Sequence, residues 1–232
     1  MNFEKSLKYI SELLKENKDN IKIINGTAFD YSKAFNYICE SIEEIIGKKT
    51  NNNIYFAGIL YQNSTPATIN ITDNLDLNLS TCISSHGVII SQSCSENPFL
   101  WVWQLSHEMV HVFLSLKDNS IKSSYSRPSL LEEGLATYIS SLIYKKYFSE
   151  LKINYIEIKT NDYAYDYAEE IYKKVMKMNG GDVSFVKKIR KENPSLKELK
   201  MKDFKKINIT NFLIQECLID FQTQFNRTPG NY

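Results

Sequence analysis

Apolar positions recur first at helical spacing, then at strand spacing, then at helical spacing to the end of the chain. Phe3, Leu7, Ile10, Leu13 and Leu14 predict a helix over Phe3–Asn17. A short β-like run, Ile21–Ile24, precedes the turn signal Asn25-Gly26. Asp30 is placed to cap a second helix that runs to about Ile46, where Gly47 stops it; Phe35, Ile38, Ile42, Ile45 and Ile46 form its apolar stripe. From Asn53 to Ser91 the period changes to two. Ile54–Tyr61, Ala67–Thr72, Leu75–Leu79 and Gly87–Ser91 are four candidate strands, separated by short Asn/Ser/Thr/Pro clusters.

Helices follow. Asn97-Pro98 fits a helix start, and the helix runs from about Phe99 to Leu116. Ser129 is placed to cap Leu130 to about Phe148. Ile153–Lys159 reads as a strand or an extended linker. Tyr163–Met178 is helical and ends at Gly180-Gly181; Val183–Arg190, Leu196–Phe204 and Asn211–Phe225 are further amphipathic helices. The pattern is that of an α+β chain: a small, twisted, mostly antiparallel N-terminal sheet with helices, then a mainly helical C-terminal half. We read 1–232 as one domain, with a sheet-bearing half (1–96) and a helical half (97–232).

Composition narrows the function. The 232 residues carry 28 Lys+Arg and 27 Asp+Glu, a formal net charge of +1. Nucleic-acid binders need a basic excess to neutralise phosphates, so no nucleic-acid partner is expected. The basic stretch Lys173–Lys206 is also amphipathic and reads as a solvated face. No stretch reaches the roughly 18 apolar residues of a membrane span, and the N-terminus lacks a secretory signal. The expected location is cytoplasmic, or outside the cell if a leader precedes the chain. The four cysteines, Cys39, Cys82, Cys94 and Cys217, show no metal-binding spacing and are expected as free thiols.

Histidine changes the picture. There are three, His86, His107 and His111. His107-Glu108-Met109-Val110-His111 is a His-Glu-x-x-His sequence inside a predicted helix. Residues four apart stack on one helix face, so both imidazoles can converge on one metal ion, with Glu108 beside them. Zinc suits imidazole nitrogen and keeps an open position for water. The flanks Trp101, Val102, Trp103, Leu105, Val110, Val112, Phe113 and Leu114 are apolar on several sides, which means a buried helix. Buried imidazoles and carboxylates require partners, and a metal supplies one. Downstream, Leu130-Leu131-Glu132-Glu133-Gly134-Leu135-Ala136-Thr137-Tyr138 offers Glu133 as a third ligand. Its small residues, Gly134 and Ala136, would let this helix approach the first closely.

HEMVH followed by EEGLATY resembles the gluzincin metallopeptidases, over about Trp101 to Tyr138. The resemblance implies a zincin-like fold, Zn2+ held by His107, His111 and Glu133, Glu108 as general base, and a peptide or protein substrate. Aminopeptidase-type members also carry a Tyr that stabilises the oxyanion from a helix ending in Gly-Gly. Counting back from Gly180-Gly181 favours Tyr165, with Tyr163 and Tyr167 at alternate positions. The exopeptidase Gly-x-Met-Glu-Asn-type motif is absent, which favours an endopeptidase or a narrow specificity. The thermolysin-like Asp four residues past the third ligand is Thr137, so the partner that orients a zinc-bound His must come from elsewhere. Glu132 is one option; a first-turn Glu complementing the helix dipole is the other. His86-Gly87-Val88-Ile89-Ile90-Ser91 resembles the edge strand on which such peptidases pair an extended substrate. Arg127 is a candidate for a substrate carboxylate or a solvent-exposed loop residue, and Trp101 and Trp103 belong to core or cleft. Two alternative functions remain: a catalytically inactive zinc-binding or interaction protein, and a cytosolic regulatory peptidase that cleaves a repressor.

Overall fold

The computed structural model describes residues 21–24, 26–48, 54–62, 67–70, 84–114, 128–158, 162–181, 185–193, 196, 199–206, 213–221 and 223. The expected helix Phe3–Asn17, the expected strand Leu75–Leu79, Arg127 and Cys82 lie outside these residues. Strands β1 (Ile21–Ile24) and β2 (Thr27–Asp30) form an antiparallel hairpin across the predicted turn, with Gly26 at φ 80. A positive φ at this place is what glycine supplies without steric cost. The sequence pattern had marked β1 but not β2.

Asp30 ends β2 and caps α1 (Tyr31–Ile46), its carboxylate accepting from the backbone N–H groups of Ser32 and Lys33. Strands β3 (Ile54–Gln62), β4 (Ala67–Asn70) and β5 (Ser84–Ser91) form a second sheet in the order β3-β5-β4. β4 runs antiparallel to β5, but the longest pairing, β3 with β5, is parallel. The sheet is therefore mixed. Alternation of apolar and polar residues sets which face of a strand is buried and leaves the direction of its neighbour open. His86 stands opposite Phe56 on one side and Asn70 on the other. β5 is thus the central strand, correcting the expectation of an edge, and β4 borders the sheet among the described residues.

Among the described residues five more helices follow, α2 (Pro98–Leu114), α3 (Leu130–Glu150), α4 (Tyr163–Met178), α5 (Phe185–Glu192) and α6 (Met201–Lys206), before a short α7 (Leu213–Cys217). The chain is α+β with helices predominating among the described residues. Local chemistry sets the helix starts. Asn97 Oδ1 accepts from Phe99 and Leu100 N–H, Ser129 Oγ from Glu132 N–H, and Asp162 Oδ1 from Ala164 N–H. These side chains satisfy donors that a helix leaves unpaired. Ile153–Ile158 is irregular, not a strand.

α2 is the central element, packed against α1, α3, β4 and β5. Trp101 Nε1 donates to Tyr61 on β3 at 2.8 Å, and Ser91 N–H at the end of β5 donates to Gln104 on α2 at 2.9 Å. Burial on nearly all sides explains why α2 carries apolar residues around most of its circumference. Arg190 departs from the solvated basic face expected for its segment. It is buried, and its guanidinium donates to the carbonyls of Ile46 at the end of α1, of Gly47 and Lys48 just beyond it, and of Phe113 on α2. Those carbonyls carry the partial negative charge of a helix C-terminus, which a cation offsets.

A smaller apolar cluster stands apart from the main core: Leu130, Ala164, Ala168 and Phe221, with Tyr165, Tyr167 and Ile219 packed against it. Residues 219–221 pair with the start of α3, Leu130 N–H donating to Ile219 O and Phe221 N–H to Pro128 O. Cys94 and Cys217 are buried free thiols. Among the described residues no helix is long and apolar enough to cross a membrane.

Candidate metal centre

The face of α2 that carries His107 and His111 meets the first turn of α3, which carries Glu132 and Glu133. His107 Nε2 lies 3.1 Å from Glu133 Oε2, the two imidazole Nε2 atoms are 3.3 Å apart, and His111 Nε2 is 3.5 Å from Glu133 Oε1. Metal–ligand distances of about 2.0–2.1 Å at tetrahedral angles separate neighbouring ligands by about 3.3–3.4 Å. The observed spacings bracket that value. His107, His111 and Glu133 could hold a metal ion.

Electrostatics point the same way. Glu108, Glu132 and Glu133 are all buried, at 5%, 1% and 6% exposure, around two imidazoles. Three carboxylates withdrawn from water are costly without cationic partners. For Glu132 and Glu133 that partner is His111. Burial pulls its pKa down, but Glu133 and Glu132 outweigh burial and hold it well above the ordinary value. Burial correspondingly raises the Glu133 carboxyl, and the two imidazoles overcome that and hold it far below the usual carboxylate range. The first turn of a helix adds favourable partial charge to both glutamates.

The two histidines are held differently. His111 Nδ1 is 2.9 Å from Glu132 Oε1. His107 Nδ1 is buried without a hydrogen-bond partner, as is the hydroxyl of Thr137, one turn beyond Glu133. His107 is instead fixed by rings: Trp103, one turn earlier, stacks at 6.2 Å, and Tyr165 meets it edge-on at 5.6 Å between centroids.

Of the three candidate tyrosines, the structure brings Tyr165 to this cluster. Tyr163 is 77% exposed, and Tyr167 donates its O–H to Glu216 at 2.6 Å. The Tyr165 hydroxyl is kept protonated: burial raises its pKa first, then the nearby charges of Glu133, Glu108 and Asp162. Phe221 supports its ring at 5.2 Å. Sequence reasoning did not identify Phe221, and no local signal marks it, because its link to Tyr165 is purely tertiary.

Gly134 serves a different contact from the one expected of it. A Cβ there would lie 2.0 Å from the carbonyl oxygen of Ala168 and 2.8 Å from Tyr172 Cβ. Its missing side chain therefore admits α4, not α2, and so brings Tyr165 beside the glutamates. In comparisons with known proteins, the chain matches no family model, no curated protein and no solved structure.

Proposed function

We propose that this protein is a gluzincin-type zinc metallopeptidase with a zincin-like catalytic fold, in which His107, His111 and Glu133 are the zinc ligands. The observation that carries the reading is the convergence of those three donors at 3.1–3.5 Å beside a further buried carboxylate, Glu108, on the helix that carries both histidines. Two imidazoles and one carboxylate suit zinc among the common divalent ions. Bound there, the ion supplies Lewis acidity, which polarises a carbonyl and makes water nucleophilic near neutral pH. Glu108 takes the proton of the attacking water on a carboxylate oxygen and returns it to the leaving amine nitrogen. Tyr165 donates its O–H to the oxyanion that develops on the carbonyl oxygen. An extended peptide would add alongside β4, which packs beside α2, through main-chain hydrogen bonds.

Metal analysis of the purified protein, followed by cleavage of a peptide library, tests the reading. The expected result is about one zinc per chain, with Glu108→Gln retaining zinc while cleavage falls by roughly 10²–10⁴-fold. Zinc well below one per chain, unchanged in His107→Ala, would sink the metal centre. Zinc retained by a wild-type protein that cleaves nothing would leave a metal-binding protein in place of an enzyme.

A further inference from the structure

Glu132 is the most deeply buried carboxylate at the site, yet it is not among the three residues whose donor atoms converge. A glutamate that merely complements the helix dipole can do so from the surface. This one turns inward, and its Oε1 lies 2.9 Å from His111 Nδ1. A carboxylate oxygen at this distance accepts from Nδ1–H, and Nε2 is the nitrogen that faces His107 and Glu133, free to ligate once its proton is displaced. Among the described residues no equivalent partner holds the Nδ1 of His107.

We propose that Glu132 is the positioning residue of the metal centre. It locks His111 in the tautomer and ring orientation that ligation requires, and it adds a second buried negative charge behind the ligands. The assignment rests on reading His107, His111 and Glu133 as zinc ligands. It makes the two imidazoles unequal: His111 is held by a charged hydrogen bond, His107 by ring packing. The position adjoining the third ligand thus acts on the metal through His111, and Thr137 takes no part.

Zinc itself is the probe. Competition against a chromogenic chelator would measure zinc affinity for the wild type, Glu132→Gln and Glu132→Ala, with circular dichroism confirming that each is folded. Loss of such a partner typically weakens metal binding by about 10–100-fold. That loss is expected for Glu132→Ala, with an intermediate value for Glu132→Gln, which keeps an acceptor oxygen without the charge. Imidazole ¹H–¹⁵N spectra of the zinc-loaded protein give a second readout. A protected Nδ1–H of His111 should be present in the wild type and lost in Glu132→Ala, while His107 is unchanged. Should the alanine variant not fold, the isosteric Gln decides. Wild-type zinc affinity in the folded variants, or a zinc-loaded His111 with no proton on Nδ1, overturns the assignment. A wild-type protein that binds no zinc overturns the metal centre and this role with it, and the two failures are distinct.

Discussion

Replacing Gly134 by Ala adds one methyl group where α3 crosses α4. The methyl carbon would lie 2.0 Å from Ala168 O, 2.6 Å from Ala168 C and 2.8 Å from Tyr172 Cβ. Two of these are backbone atoms in the middle of a helix, and Ala168 and Tyr172 are fully buried, so no flexible side chain can swing away. Relieving the contact to about 3 Å requires the helices to part by about 1 Å. Overpacking of this kind costs up to about 3 kcal/mol, and the better helix propensity of alanine offsets only about 1 kcal/mol. The net loss of about 2 kcal/mol corresponds to a fall in Tm of about 4–8 °C for a chain of this size. Tyr165 lies one turn before Ala168 on α4 and moves with it, away from His107 and Glu133. A displacement near 1 Å at a group that meets the transition state can cost about 100-fold in rate. The proposed zinc ligands sit on α2 and α3, so zinc affinity should stay within about threefold of the wild type. Thermal unfolding, chelator competition and peptide cleavage on one preparation test all three statements. A raised Tm, as helix propensity alone would give, or unchanged cleavage would refute the close approach of α3 and α4.

Other outcomes follow from the same contacts. In the metal-free protein, His111 has a raised folded pKa, so its contribution to stability is complete below about pH 6.5 and is lost as pH rises through the elevated value. Glu133 has a lowered folded pKa, so its contribution is present above the ordinary carboxylate range and is lost as pH falls through the depressed value. Urea midpoints of the metal-free protein should therefore decline on both sides of neutrality, and His111→Ala should flatten the alkaline limb. Zinc affinity should rise with pH, because ligation displaces the proton from His111. Tyr165→Phe removes the proposed oxyanion donor and should lower kcat by about 10²–10³-fold with zinc content unchanged. Phe221→Ala withdraws the support of the Tyr165 ring and should give a smaller loss of kcat at nearly constant KM; equal activity in both variants would remove Tyr165 from the chemistry.

The parts legible in the sequence are those governed by neighbours in the chain. Asp30, Asn97 and Ser129 cap helices close to where their side chains imply, because capping joins groups two or three residues apart. The stacking of His107 and His111 follows from helix periodicity, and the apolar flanks of α2 announce its burial. The direction of β3 relative to β5 is not encoded in alternation, which explains why a parallel pairing and a central β5 were not anticipated. Asn211–Phe225 reads as one amphipathic helix, but among the described residues it is interrupted after α7 (Leu213–Cys217), where residues 219–221 pair with the start of α3.

The candidate site divides along the same line. By itself the sequence determined that two imidazoles share a helix face with Glu108 between them, and that Glu133 opens a later helix. Tertiary packing decided the rest. It turned Glu132 inward to His111, chose Tyr165 over Tyr163 and Tyr167, and gave Gly134 its partner in Ala168. Each of these depends on which helix faces which across an interface. Chain-local periodicity presents a face, but only the packed helices determine what that face meets.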